Sequence, residues 1–243
     1  MIELIRITNF LSIEDVTVQL QPLTVLIGRS GTGKSNFVRA IRFLRDSLRS
    51  RAFDFGAYGG PVRMLNVAHP KEPFAIEVHF RIAGFSEQFH YRLSGKADSS
   101  LLSERFGLGE RDIFHNENGK WLVPPPVEGK FSPGSIALGA VPGLQESTFA
   151  HVALTSGIGC YDFPGFVLAH SNAPLSVAAA GLADTGDNYL HVSHQLISDL
   201  SRASNWRRIA KSLRAINSSV DSLTLNVPNP DRLDVGHRFN GKV

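Results

Sequence analysis

The spacing of apolar residues predicts strands in the first thirty residues and a helix directly after them. Apolar and polar residues alternate in residues 1–8 and again in Val16–Leu20, a period typical of half-buried strands. Leu23–Ile27 is a continuous apolar run, which we expect to form a third strand. From Lys34 onward the period becomes helical. The apolar stripe of this helix recurs at spacings of 4, 3 and 4: Phe37, Ile41, Leu44 and Leu48.

A second group of strands is predicted in the middle of the chain. Phe74–Ile82 and Phe85–Leu93 alternate with period two, and the glycine between them predicts a β-hairpin. Leu101–Leu108 and Trp121–Val123 would extend the same sheet. The preceding segment, Arg51–Pro73, is punctuated by glycine and proline, so we expect a loop there.

Helices are expected to dominate from Gln145 onward. Thr185–Asn188 has the residue types of a helix N-cap and predicts a helix through Leu200. The apolar spacing within Trp206–Ile216 predicts another amphipathic helix. The last predicted elements are two strands joined at Pro228–Pro230, namely Val220–Val227 and Leu233–Phe239.

Composition is that of a folded soluble protein, with 42% apolar and 19% charged residues in 243. This length suits one large domain or two small ones. Residues 1–6 carry no signal-peptide pattern and no apolar run reaches the ~18 residues of a membrane span, so we expect a cytoplasmic protein without membrane contact. The single cysteine, Cys160, excludes an internal disulfide and a multi-cysteine zinc site. A net charge of +3 permits a nucleic-acid partner without demonstrating one.

The strongest chemical signal is a phosphate-binding loop. Residues 28–35 read Gly-Arg-Ser-Gly-Thr-Gly-Lys-Ser and match the pattern G-x-x-x-x-G-K-[ST] throughout. In such loops the glycines let backbone N–H groups point at a phosphate chain, the lysine reaches the β- and γ-phosphates, and the hydroxyl ligates Mg²⁺. We therefore expect ATP and Mg²⁺ as cofactors, with Ser35 as the metal ligand. The expected nucleotide-binding residues of the loop are Gly28, Arg29, Ser30, Gly31, Thr32, Gly33, Lys34 and Ser35.

The acidic strand that usually completes such a site has no convincing match. Hydrolysis requires an apolar strand ending in an acid that holds Mg²⁺. Ile158–Asp162 is the nearest candidate, but its glycine suits a buried strand poorly. Leu196–Asp199 falls within a helical pattern instead. We expect little or no ATP hydrolysis from this chain alone.

Three N-terminal stretches carry a family resemblance. Ile5–Asp15 contains the pair Asn9-Phe10, Leu20–Gly28 leads into the loop, and Gly33–Phe37 ends it with Gly-Lys-Ser-Asn. These stretches resemble the N-terminal part of the RecF/SMC-like ABC-class ATPases, often labelled AAA family ATPases. That group includes the ATPase domains of OLD-type nucleases and anti-phage defence systems. The loop departs from the usual family sequence, because Arg29, Ser30 and Thr32 replace a proline, an asparagine and a serine.

The resemblance implies an α/β P-loop NTPase fold, with a β-rich insertion and a helical lobe. It implies three parts: the strand group, loop and helix in residues 1–50, the insertion in 51–130, and a helical lobe ending in two strands in 131–243. Family members continue into a signature helix and an acidic strand, so the resemblance implies one incomplete ATPase domain. The implied function is an ATP-controlled switch in DNA metabolism or phage defence. The implied partners are a second copy or a second ATPase subunit, and DNA or an effector nuclease.

The resemblance also suggests site residues outside the loop. Asn36 would bind nucleotide, and Asn9, Phe10 and Leu11 would lie near the adenine or ribose, the alternative being that Phe10 packs against the sheet. Gln145 would reach Mg²⁺ and water, the alternative being an exposed glutamine at a helix start. One side of the first helix carries arginines that would meet DNA phosphates or simply face solvent. These are Arg39, Arg42, Arg45 and Arg49.

Three other function classes are alternatives to the ATPase switch. A non-catalytic nucleotide-binding fragment is favoured by the missing acidic strand. A P-loop small-molecule kinase would show a lid with clustered arginines after the core strands, and the sequence shows no such cluster. A transporter ATPase is disfavoured by the Asn9-Phe10 opening and the long β-rich stretch from Phe74.

Overall fold

The computed structural model describes two compact units, Met1–Ile158 and Gly159–Val243. The described residues are 1–98, 100–126, 135–141, 143–163, 181–199, 201, 203–216, 220–229 and 232–239. For residue 203 and for the last two ranges the description covers the backbone.

A seven-stranded sheet forms the framework of the first unit. Its spatial order is β2-β1-β3-β4-β5-β6-β7, and every neighbouring pair is antiparallel. The sheet therefore joins strands from residues 1–50 with strands from residues 51–130. The strands are β1 Ile2–Phe10, β2 Ile13–Gln19, β3 Phe74–Phe80, β4 Phe89–Gly95, β5 Leu101–Leu108, β6 Arg111–Glu117 and β7 Lys120–Val123.

Helices of the first unit cover the apolar face of this sheet. They are α1 Lys34–Ser50, the short α2 Pro61–Met64 and α3 Gln145–Thr155, with one 3₁₀ turn at Gly56–Tyr58. The apolar stripe predicted for α1 is confirmed, since Phe37, Leu44 and Leu48 are buried. At its carboxyl end, α1 is tied to α3 by a 2.7 Å hydrogen bond from Arg49 Nη2 to the carbonyl of Thr155.

An aromatic cluster joins α1 to the sheet. The Phe43 ring lies 5.7 Å from Phe10 on β1, 5.4 Å from Phe74 on β3 and 5.6 Å from Tyr58. Phe10 and Phe74 are fully buried. Large aromatic side chains contribute strongly to core stability through their buried area and edge-to-face contacts. The cluster therefore fixes α1, and with it the phosphate loop at its amino end, against the sheet.

The described residues of the second unit form two helices and one hairpin. The helices are α4 Tyr189–Ser198 and α5 Ala203–Ile216, and the antiparallel strands are β8 Val220–Asn229 and β9 Arg232–Phe239. Asn188 is the N-cap residue of α4, as the sequence predicted, but its side chain does not cap the helix. It instead bonds within its own loop, where its Oδ1 accepts from Ala183 N at 2.8 Å. Leu200 and Pro230, two further predicted boundaries, lie outside the described residues.

The prediction of a strand over Leu23–Ile27 is wrong for this structure. The segment forms no ladder with any described strand, and the sheet ends at β2. Its side chains are largely exposed, with 82% for Leu23, 67% for Val25 and 91% for Ile27. A continuous apolar run is typical of a strand buried on both faces. Such a run becomes a strand only where neighbouring strands accept its backbone hydrogen bonds.

Among the described residues, none of the helices combines the length and apolar character that crossing a membrane would require.

Candidate nucleotide-binding site

The phosphate loop of residues 28–33 leads directly into α1. Gly31 and Gly33 adopt positive φ angles of 83° and 91°, which a residue with a Cβ adopts only under strain. At Gly28 the space is tight, because a Cβ there would lie 3.0 Å from Thr32 Oγ1. All three glycines of the motif thus have a structural reason in the folded loop.

Lys34 closes the loop from inside. Its Nζ donates hydrogen bonds to the carbonyl oxygens of Gly28 at 2.7 Å and Arg29 at 2.5 Å, and to Thr32 Oγ1 at 3.3 Å. Thr32 Oγ1 in turn donates to the Arg29 carbonyl at 2.9 Å. These bonds hold an ammonium group within the curve of the loop, where it can attract a phosphate chain.

The amino end of α1 offers further attraction for an anion. Gly33 is the N-cap residue and contributes no side-chain hydrogen bond, and the first turn holds no acidic residue. Uncapped N–H groups and the helix dipole both favour a negative charge at this end. Ser35 is exposed in this first turn, and Arg29 and Ser30 are exposed on the loop. Ser35 is thus accessible to a metal ion beside bound phosphate.

A cleft of about 730 Å³ opens beside the loop. Its volume lies within the range of small-molecule sites. One end is formed by the loop and the other by the apolar face of β2 and the exposed run before the loop. The lining residues are Ser12, Ile13, Glu14, Asp15, Val16, Val18, Val25, Leu26, Ile27, Gly28, Thr32, Gly33, Lys34 and Phe37.

Two acidic side chains of β2, Glu14 and Asp15, line the cleft. Asp15 accepts two hydrogen bonds from the guanidinium of Arg6, at 2.7 and 3.1 Å. These bonds hold the pKa of Asp15 below its usual value, so that the carboxylate is charged at neutral pH. Because Arg6 compensates this charge, the carboxylate repels an approaching phosphate chain less strongly than a free one would.

Asn9 and Phe10 do not line the cleft. Phe10 is fully buried against the aromatic cluster, which is the packing alternative for this residue. Asn9 has a φ of 53° and is buried, and its Nδ2 donates to the carbonyls of His69 at 3.0 Å and Glu72 at 2.7 Å. Its Oδ1 accepts from Asn66 N at 3.0 Å. The Asn-Phe pair therefore shapes the turn between β1 and β2.

Ser12 and Ile13, the second and third residues after this pair, do line the cleft, and sequence reasoning missed them. Ser12 ends the β1–β2 turn and Ile13 begins β2, and both contribute to the cleft wall. Asn36 Nδ2 donates a 2.8 Å hydrogen bond to Ser12 Oγ, so this predicted nucleotide ligand already has a protein partner. The available signal was the position of Ser12 in a turn of the predicted strand pair next to the loop.

Gln145 is the first residue of α3, and its side chain is exposed. This position fits the alternative interpretation, an exposed glutamine at a helix start.

The predicted arginine stripe on α1 is not a continuous exposed face, because Arg45 is 3% exposed and pairs with Asp46 at 2.8 Å. Arg49 donates to the Thr155 carbonyl. This face of α1 is therefore partly used for packing, which weakens the interpretation as a DNA-binding stripe.

Ile158–Asp162, the weak candidate for an acidic strand, has irregular backbone, and Asp162 is exposed. Within the part of the chain that the structure describes, no group of three or more metal-ligating side chains is present.

Comparison with known families agrees with this geometry. Residues 1–117 match the family model described as "AAA ATPase domain", a span that runs from β1 to the end of β6 and contains the phosphate loop and α1. The match confirms the sequence-based expectation of the N-terminal part of an AAA-type ATPase with a P-loop α/β fold.

A solved structure described as "Structural biochemistry of ATP-driven dimerization and DNA stimulated activation of SMC ATPases" is also similar. It is 17% identical with a TM-score of 0.33, and the alignment covers 46% of this chain and 70% of that chain. Among curated proteins no match was found.

Proposed function

We propose that this chain binds ATP with Mg²⁺ and forms the nucleotide-controlled switch portion of a RecF/SMC-like ATPase. The observation that carries the proposal is the loop itself, with Lys34 held inside it and the uncapped end of α1 behind it. The loop and helix end supply positive potential for the phosphates. The match of residues 1–117 to the AAA ATPase domain supports the same assignment.

The adjoining cleft supports a nucleoside triphosphate rather than phosphate alone. Beyond the loop, its wall is formed mainly by apolar side chains, among them Ile13, Val16 and Val25. Apolar walls suit a planar base, whereas a free phosphate would gain nothing from them. The base would lie against β2 while the phosphates reach the loop.

Magnesium would be held by Ser35 together with the phosphate oxygens. The residues fit this ion, because Mg²⁺ at nucleotide sites commonly takes few protein ligands and keeps several waters. When bound, it would neutralise charge on the β- and γ-phosphates. The chain itself contributes the exposed Ser35 hydroxyl and the nearby Lys34 ammonium.

A second copy of the chain or a second ATPase subunit would complete the switch in this proposal, and ATP would control their association. DNA or an effector nuclease would then respond to the closed state. These partners come from the family resemblance. A non-catalytic nucleotide-binding module is the second candidate, favoured by the irregular backbone of Ile158–Asp162. A P-loop kinase would be recognised by phosphate transfer to a small acceptor.

Calorimetric titration with ATP and Mg²⁺ tests the proposal. Lys34→Ala should weaken binding by about 1.5–3 kcal/mol, the scale of a hydrogen bond to a charged group. Lys71→Ala, which removes an exposed lysine outside the cleft, is the matched control and should bind as the wild type does. Equal affinities for wild type and Lys34→Ala would refute the proposal.

A further inference from the structure

One side-chain hydrogen bond links the β1–β2 turn to the phosphate-loop helix. Asn36 Nδ2, in the first turn of α1, donates to Ser12 Oγ at 2.8 Å. The same Ser12 Oγ lies 3.2 Å from the position that a Cβ on Gly33 would occupy. Ser12 thus bonds to the helix that follows the phosphate loop and lies close to the last glycine of that loop.

The turn is held from its other side by a separate segment. Leu11, with a φ of 51°, donates its backbone N–H to the Met64 carbonyl at 2.6 Å. Asn9 is bonded to Asn66, His69 and Glu72, as described above. These contacts fix the shape of the turn without involving α1. The Ser12–Asn36 bond therefore adds the connection between a rigid turn and the loop helix.

This connection spans the two ends of the cleft. Ser12 and Ile13 belong to the wall formed by β2, whereas Gly33 and Lys34 belong to the phosphate end. A change in the relative position of the turn and α1 would change the separation of these ends. A ligand that uses both ends is sensitive to that separation, because binding energy is lost when either end must be reordered.

We infer that Asn36 is a positioning residue, whose bond to Ser12 sets the base-side wall against the phosphate loop. The inference rests on the proposed nucleotide binding and changes the role of Asn36 from nucleotide ligand to structural link. It assigns Ser12 to the same link. The bond should then matter for nucleotides, which span the cleft, and not for a bare phosphate chain, which occupies only the loop.

The test compares Mg·ATP with Mg·tripolyphosphate on wild type, Ser12→Ala, Asn36→Ala and the double variant. Each single variant should bind ATP about three- to tenfold more weakly, the effect of one neutral hydrogen bond. Tripolyphosphate affinity should change less than about twofold on the same scale. The double variant should bind ATP no more weakly than the single variants, because either change already removes the bond.

Two further variants separate positioning from general damage. Ser12→Thr keeps the hydroxyl and should bind ATP nearly as the wild type does. Thr17→Val is the matched control, since it removes an exposed hydroxyl from β2 at a position that does not line the cleft. It should leave both affinities unchanged. Thermal unfolding of each variant identifies any that fail to fold.

Distinct results would overturn the inference. If Asn36→Ala weakens ATP and tripolyphosphate equally while Ser12→Ala changes neither, Asn36 contacts phosphate directly. Additive losses in the double variant would show that the two residues act independently. In both cases wild type would still bind ATP through Lys34. If wild type binds no ATP and Lys34→Ala changes nothing, the proposed function itself fails, and the inference fails with it.

Discussion

The hydroxyl of Tyr91 on β4 donates a 3.0 Å hydrogen bond to the carboxylate of Glu104 on β5, and both side chains are fully buried. The same carboxylate accepts backbone N–H groups from Ala137 at 2.7 Å and Leu138 at 2.9 Å. One buried acid thus ties the sheet to the segment of residues 135–141, which precedes α3. Buried carboxylates are rare unless paired in this way.

This arrangement predicts a pH-dependent stability. Burial raises the pKa of Glu104 from 4.5 to about 7, although its three hydrogen-bond donors act in the opposite direction. The protonated form is therefore favoured in the folded state. The stabilisation of the folded state by the protonated carboxyl group is complete below pH 4.5 and is lost as the pH rises through about 7. The free energy of unfolding should fall by roughly 3 kcal/mol across this window from this group.

Denaturant unfolding of wild type and Glu104→Gln over this pH range measures the effect. The variant has no titratable group at this position. The difference in free energy of unfolding between wild type and variant should therefore change with pH. Glu117→Gln, which changes an exposed glutamate on β6, should follow the wild type. If the free energies of unfolding of wild type and Glu104→Gln change equally with pH, burial does not raise the pKa of Glu104 in the folded protein.

Hydrolysis by the chain alone should be negligible. Glu14 and Asp15 of β2 line the cleft beside the loop, but Asp15 pairs with Arg6, and Asp162 is exposed on irregular backbone. Phosphate release from purified protein should stay below about 1 s⁻¹, the low end of ordinary enzyme rates. Faster turnover that Lys34→Ala abolishes would contradict this expectation. Asp162→Asn, with exposed Asp98→Asn as control, would then show whether Asp162 holds the ion.

Much of the fold follows from local periodicity. The alternation in residues 1–8 and 16–20 predicted β1 and β2, and the stripe from Phe37 to Leu48 predicted α1. The predicted hairpin also exists, but β3 ends at Phe80 and β4 begins at Phe89, because these two residues pair across the ladder. Hairpin limits depend on cross-strand register, which a single strand's pattern does not contain.

Features that depend on neighbours were not predictable in the same way. Leu23–Ile27 has the composition of a buried strand, yet a strand forms only where a neighbouring strand pairs with its backbone. Phe10 and Asn9 carry the family resemblance, but only the fold shows that one packs in the core and the other binds the loop of residues 66–72. The residues of the phosphate loop could be predicted from the motif because the loop is formed by consecutive residues of the backbone.

Asn9 should be important for stability. Asn9→Ala removes hydrogen bonds to Asn66, His69 and Glu72 and places alanine at a φ of 53°. Leaving buried polar groups unpaired and straining the backbone should together lower the free energy of unfolding by about 3 kcal/mol. Asn118→Ala is the control, since Asn118 has a φ of 50° but is exposed. Equal losses for both variants would mean that backbone strain alone explains the effect.

The exposed apolar run should cause self-association. Leu23, Val25 and Ile27 are 82%, 67% and 91% exposed within one short segment whose backbone pairs with no described strand. Unpaired backbone and contiguous apolar surface both favour contacts between molecules. Light scattering over a concentration series should therefore show a rising apparent mass for the wild type.

Replacing this surface should reduce the association. Leu23→Ser combined with Ile27→Ser removes two exposed apolar side chains and should lower the apparent mass at a given concentration. A second exposed apolar surface is on α5, where Ile209 and Ile216 are 45% and 84% exposed. The pair Ile209→Ser and Ile216→Ser tests that helix separately, because each pair changes one surface only. If the wild type stays monodisperse at all concentrations, neither surface drives association. The exposed apolar side chains of Leu23–Ile27 would then remain in contact with solvent without causing self-association.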